Sequence, residues 1–346
     1  PAIAPQATEE LTIPYTMPAV SATEDVTLQL SFTLTHADGI LLAGTELAHE
    51  QFVLQKGQLP ELKLNEQRAQ SAPELLSNDV QYYIIKGADW RIEINKATGF
   101  VSHYEVGGVQ LLDEGHQLRP NFWRAPTDND MGAGLQRRYA VWRHPELKLK
   151  SLKATQPEPM LVKLEARYEL PAVGATLSID YTIDATGRIL YQQAMKAGDK
   201  KKDVANLFRF GIKMELPQEL DQVAFYGRGP VESYPDRKLS QPFGYYQSSV
   251  ADQFYPYIRP QETGLHSDLS YFRVLDRGGR GLELRSDKLF MASALDRSME
   301  SLDGYSQKGQ EHSEFIAKAP FTQLLADSHH MGLGCYDSWG ALPQPK

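Results

Sequence analysis

Four stretches of the sequence mix ionisable and aromatic side chains with Gly or Pro, as loop-borne sites do. They are NFWRAPTDNDMG (121–132), YGRGPVESYPDRK (226–238), YPYIRPQETGLHSD (255–268) and HHMGLGCYDSWG (329–340). In the first, Pro126 and the Asp128-Asn129-Asp130 run cannot continue a strand, because proline lacks the N–H and Asp and Asn favour turns. The spacing predicts a loop hung from a strand that ends near Trp123, with its acids either solvated or capping a following helix. In the second, Glu232 and Asp236 have the chemistry of an acid or base. Charge pairing with Arg228 and Arg237 around a Pro-containing turn is the stronger reading. In the third, Glu262 and His266 stand four apart, a couple able to move protons or simply to hydrogen-bond a loop.

The chemistry these residue types suit is sugar chemistry. A sugar offers apolar C–H faces to an aromatic plate and hydroxyls to Asp, Asn, Arg or His. Cleaving a glycosidic bond needs two carboxylates facing each other across the sugar, and spacing alone does not select a pair from 44 acidic residues. Among the tryptophans, Trp90 alternates with Ile92 and reads as core, and Trp142 reads as helix packing. Trp339 differs. It follows Asp337-Ser338 and precedes Gly340, a loop context that leaves ligand and structural roles open.

Other chemistries are disfavoured. The single cysteine, Cys335, cannot pair within the chain, and no Cys/His spacing suggests zinc. TDND lacks the Gly and Glu register of a helix–loop–helix calcium site. GRGP and GLG lack the strand and helix that frame a phosphate loop. A net charge of −8 argues against nucleic acid, and acids interrupt the one basic run, KAGDKKKD at 196–203, which reads as a solvated hairpin tip. No run of eighteen apolar residues predicts a transmembrane helix, and PAIAPQATEE lacks the basic start and apolar core of a signal peptide.

The elements that must position these stretches are strands. Period-2 alternation runs through Val26, Leu28, Leu30, Phe32 and Leu34, and through Trp90, Ile92 and Ile94. It recurs through Val162, Leu164, Ala166, Tyr168 and Leu170, through Leu177, Ile179, Tyr181 and Ile183, and through Phe208, Phe210, Ile212 and Met214. These read as half-buried antiparallel strands, and the fold class as all-β. Leu135, Tyr139 and Trp142 predict one short amphipathic helix after the first loop. A polar stretch near 64–78 predicts a boundary between 1–72 and 73–346.

In order and spacing, NFWRAPTDNDMG, GRGPVESYPDRK, YPYIRPQETGLHSD and HMGLGCYDSWG resemble the C-terminal part of the large β-galactosidases of glycoside hydrolase family 2. The resemblance runs from about Val80 to Trp339, and residues 1–72 resemble, more weakly, the immunoglobulin-like domain that precedes that part. It implies a large antiparallel β-supersandwich, similar to galactose mutarotase, preceded by a partial immunoglobulin-like sandwich. It also implies that Trp339 is a stacking platform for the sugar, with Asp337 and His330 as flanking substrate-binding candidates. Arg124, Asp128, Asn129 and Asp130 are then a structural loop near the site.

No catalytic residue and no metal ligand is expected in this segment. The family's two catalytic glutamates lie on an upstream TIM barrel, a partner domain of the same polypeptide, and this chain has too few helices to ring a barrel. Any Mg or Na of the longer enzyme would be held by upstream residues. Both ends read as cut from a longer chain, with a β-galactoside as ligand and a homo-oligomer as the candidate assembly. The compartment stays open, with the cytoplasm favoured. The rival readings are an aldose 1-epimerase using His266 and Glu262, and a stand-alone carbohydrate-binding module.

Overall fold

The computed structural model describes residues 3–64, 71–113, 115–198, 204, 206–304 and 312–334. The chain divides into two compact units between Pro60 and Glu61. In the first, β1 (Val26–Thr33) pairs antiparallel with β2 (Glu46–Gln55), with register shifts near both ends of the pair. The alternating residues of β1 lose cover along the strand: Val26 is buried, Leu28 and Leu30 are half-buried, and Phe32 is exposed. Among the described residues this unit is a single sheet layer.

The second unit carries three antiparallel sheets. One is β3 (Glu74–Leu76), β4 (Tyr82–Lys86), β5 (Trp90–Asn95), β6 (Val101–Val106) and β7 (Val109–Leu112), paired in chain order. Following β8 (Arg119–Asn121), the second holds β9 (Lys148–Glu158), β10 (Leu161–Leu170), β11 (Ala175–Asp184) and β12 (Ile189–Lys196). The third adds β13 (Arg209–Pro217), β14 (Gln222–Arg228), β15 (Phe243–Ser249), β16 (His266–Leu275), β17 (Gly281–Leu295) and β18 (Phe321–His330). Its order is β15-β14-β16-β17-β18-β13-β8. The all-β class read from the alternation is what the structure has. In β5, β10 and β11 every alternating apolar residue named above is buried.

Buried phenols and an indole tie the first two sheets together. Tyr168 donates to the Thr98 carbonyl at 2.8 Å, Tyr181 to Gly99 at 3.0 Å, and Trp90 to Ala185 at 3.1 Å. Burial pushes both phenols up, so each remains a neutral donor. Gly99 is required there. Its φ is +75°, and a Cβ would come within 2.3 Å of the Tyr168 hydroxyl.

The helix expected after the first loop is split. Thr127 caps α1 (Asp128–Gly132), Gly134 at φ +70° opens α2 (Leu135–Arg138), and a 3-10 turn covers Ala140–Trp142. Leu135, Tyr139 and Trp142 are buried as their spacing predicts.

β13 departs from the expected half-buried pattern. Phe208, just before it, and Met214 are buried, but so are Arg209 and Lys213 on the opposite face. Lys213 lies against Glu300 of α3 (Met299–Leu302), and Arg209 lies near Glu262 in the 255–265 loop. The face that alternation assigns to solvent is therefore covered. Of the KAGDKKKD tip, residues 199–203 lie outside the described residues. Among the described residues no helix is long and apolar enough to cross a membrane.

Candidate functional site

The loop after β8 turns Arg124 inward, where four acceptor atoms wait for it. Its Nε and Nη2 reach the Asp130 carboxylate at 3.0 and 2.8 Å, and neither side chain is exposed to solvent. Asp130 also accepts from the Thr127 backbone N–H at 2.9 Å, while its own N–H donates to the Thr127 hydroxyl at 3.1 Å. This capping box fixes Asp130 at the third helical position. Of the two roles open to these acids, Asp130 caps, whereas Asp128 stays exposed beside Arg259 at 3.6 Å. Burial alone would lower the Arg124 guanidinium, but Asp130 outweighs it, and the group is held more firmly charged than in water.

From there the side chain reaches the start of the fourth stretch. Arg124 Nη1 donates to the Met331 carbonyl at 2.6 Å and Nη2 to the Gly332 carbonyl at 3.0 Å. Asn129 donates to the Leu333 carbonyl at 3.2 Å. From the second stretch, Asp236 accepts from the N–H groups of Leu333 and Gly334 at 3.0 and 2.9 Å. Gly332 permits this approach, since a Cβ there would stand 2.5 Å from the Asp236 carboxylate.

Beneath these contacts lies a second buried charge group. Arg209 Nε donates to both Asp327 oxygens at 3.0 and 3.1 Å, with Nη2 adding a third contact, and Nη1 lies 3.5 Å from Glu262. Burial pulls the Glu262 carboxyl upward, but Arg209, His330 and Arg124 together outweigh it and hold the group below the ordinary carboxylate pKa range, in its charged form. The His330 side chain has no solvent exposure. Its Nδ1 lies 2.8 Å from the Met331 carbonyl, which can only accept, and its Nε2 lies 3.6 Å from Glu262. Burial pushes this imidazole down, toward its neutral form.

The four stretches thus meet at one corner. Glu262 donates its N–H to the Ala125 carbonyl at 3.0 Å, and Ser233 donates its N–H to Leu265 at 2.7 Å. Glu232 accepts from Gly264 N–H at 2.7 Å and from the Thr263 hydroxyl at 3.1 Å, with Arg237 and Tyr257 on its other oxygen.

Some expected pairings are corrected. Arg237 does pair with Glu232, but Arg228 turns to Asp268 at 2.7 Å, and Asp236 binds backbone amides instead of an arginine. Glu262 and His266 form no couple. His266 sits between the Arg228 carbonyl and the Gln253 side chain, so the epimerase reading loses its acid–base pair. Arg209, Asp327 and the Trp123 partner Asp303, at 2.8 Å, were not singled out from the sequence. For Arg209 the only signal is charge inside an otherwise apolar alternating stretch. Trp339 and Asp337 lie outside the described residues. His330 is turned away from solvent into the corner.

Asp130, Asp236, Asp327 and Glu232 are each held by donors. Glu262 is buried beside Arg209 and His330 with no hydrogen bond to its Oε1, so none of these pairs with another across an open cleft. Among the described residues no group of three or more His, Cys, Asp and Glu could hold a metal ion. Glu262 faces a guanidinium and an imidazole, and the corner's other acids accept from N–H and O–H donors, which does not fit a Mg or Na site. A shallow groove of about 400 Å³ lies at the other ends of β14–β16, lined by Val223, Gln247, Ser248, Leu275 and Arg277. Its one carboxylate, Asp276, is tied to Arg280 at 3.0 Å. The corner's chemistry is therefore positional: it fixes the backbone of 331–334.

Known proteins match this chain along its length. The family model "Beta galactosidase small chain" matches residues 86–346, and "Beta-galactosidase, domain 4" matches residues 1–55. A β-galactosidase of Priestia megaterium is 30% identical over 346 residues, covering 99% of this chain and 32% of the relative. One of Lactobacillus delbrueckii subsp. bulgaricus is 32% identical, covering 86% of this chain and 29% of the relative. One of Streptococcus thermophilus is 27% identical, covering 96% and 31%. The chain spans about a third of the length of these relatives. With most of its residues matched, and its strands and four converging loops in that order, the chain belongs to the β-galactosidase small-chain family.

Proposed function

We propose that this chain is the C-terminal part of a β-galactosidase that hydrolyses terminal non-reducing β-D-galactose residues. The observation that carries the reading is the match to β-galactosidases across nearly the whole chain. In this reading the segment supports a catalytic barrel carried on the same polypeptide, and its loop corner forms one side of the sugar site. Trp339 supplies the stacking plate and Asp337 stands beside it. His330, being buried, supports that wall from behind.

Retaining hydrolysis needs a nucleophile and an acid/base about 5–5.5 Å apart on either side of the bond. The described carboxylates of the corner face donors or cations, and none faces another across a cleft. In this reading both roles, and any metal, fall to residues outside this chain. The isolated chain is therefore inactive, and the longer enzyme acts on a β-galactoside.

Trp339→Ala in the full-length enzyme tests the platform. Losing an aromatic plate that covers a sugar face costs about 1–2 kcal/mol, roughly a 5- to 30-fold fall in kcat/KM for a galactoside. An unchanged kcat/KM removes Trp339 from the site.

A further inference from the structure

We propose that Asp236, with Arg124 and Asn129, is a positioning residue: these side chains clamp the backbone of 331–334 and so set where Trp339 is presented. The inference rests on the platform reading of Trp339 given above. The clamp itself rests only on described residues.

Residues 331–334 follow β18, whose last ladder residue, His330, pairs with Arg209. Met331 makes one further backbone bond, its N–H to the Phe208 carbonyl at 2.7 Å. Beyond that no sheet partner is present among the described residues, yet three successive peptide units are held by side chains, through five backbone polar groups. The carbonyls of Met331 and Gly332 go to Arg124, the Leu333 carbonyl to Asn129, and the N–H groups of Leu333 and Gly334 to Asp236. Donors and acceptors come from two separate loops, 121–132 and 226–238, and grip the chain through both polarities.

The grips are themselves anchored. Arg124 is locked by Asp130 and its capping box, and Gly332 admits Asp236 to a distance no side chain would allow. A carboxylate accepting two adjacent amides fixes the local backbone direction, because both N–H vectors must converge on it. Trp339 follows Gly334 by five residues, a span of at most about 18 Å. Whatever path those residues take, it starts from a fixed point and a fixed direction.

The test uses the full-length enzyme. Asp236→Ala removes both amide acceptors, and Asp236→Asn keeps one. Hydrogen–deuterium exchange of the peptide containing 331–334 reads the clamp directly, and KM and kcat for a β-galactoside read its consequence. The expected result is faster exchange at the Leu333 and Gly334 amides. KM rises about 3- to 10-fold in Asp236→Ala with kcat within about twofold, and Asp236→Asn is intermediate. In a Trp339→Ala background, Asp236→Ala adds nothing further to KM. Should Asp236→Ala fold poorly, Asn129→Ala, at an exposed side chain, is expected to move exchange and KM the same way by a smaller amount.

Unchanged exchange in both variants overturns the clamp. Faster exchange with unchanged KM, while Trp339→Ala raises KM, overturns the positioning role. A Trp339→Ala enzyme with unchanged KM overturns the platform reading instead and leaves the exchange result to judge the clamp.

Discussion

Replacing Arg209 with methionine is expected to lower the folding free energy by about 3–5 kcal/mol, the cost of leaving a buried charge without its partner. Arg209 has no solvent-exposed side-chain surface, and neither has Asp327, which takes three contacts from it. Glu262 lies 3.5 Å from the same guanidinium. Methionine fills similar volume, so the loss is one of charge, not of packing. Two anions then remain in a dry interior. Glu262 keeps Arg124 and His330 nearby, while Asp327 keeps no cation at hydrogen-bond distance. Arg209→Lys is expected to lose most of the same energy, because a point charge cannot reproduce the fork that meets both oxygens of Asp327. Arg209→Met combined with Asp327→Leu is expected to recover a large part of it. Urea unfolding of the three variants checks the pattern. A loss under about 1 kcal/mol for Arg209→Met would mean that the pair is exposed or already broken.

Arg124→Met is expected to lose a similar amount, about 3–5 kcal/mol, by a partly different route. Asp130 would keep its capping bond to Thr127 but lose both guanidinium contacts. The Met331 and Gly332 carbonyls would also lose their donor, and that end of the clamp would open. Arg209→Met therefore tests stability alone, whereas Arg124→Met is expected to raise KM for a galactoside as well. Measuring unfolding and KM on both variants separates the two effects. A raised KM in Arg209→Met and an unchanged one in Arg124→Met would place the functional coupling elsewhere in the corner.

Strand periodicity made most of this fold legible. Val162 to Leu170 and Leu177 to Ile183 alternate without a break and face the core as read. Leu135, Tyr139 and Trp142 point inward although Gly134 and a 3-10 turn break their helix into short pieces. Alternation tells which side chains share a face and not what covers that face. It therefore missed Arg209 and Lys213, which sit on the nominally outer side of β13 under other segments.

The site was legible as four loops and illegible as a network. By local spacing the charges have partners close by in sequence, Arg228 and Arg237 for Glu232 and Asp236. Only the Arg237–Glu232 pair forms. The bonds that organise the corner span much longer separations: Arg209 to Asp327, Arg124 to Met331, Asp236 to Gly334. Such contacts are chosen by sheet order, which brings β13 beside β18, and the local sequence carries no trace of that order. Asp236 is the clearest case, since its partners are backbone amides, which every residue but proline has.

The most direct test of the central claim is a diffraction structure of the full-length enzyme with a β-galactoside bound. The expected result places the Trp339 ring in van der Waals contact with the sugar. Residues 331–334 are held by Arg124, Asn129 and Asp236, and the two catalytic carboxylates come from outside this segment. A sugar bound beyond the reach of Trp339, or contacted by Glu232, Asp236 or Glu262 as a reacting carboxylate, would contradict it.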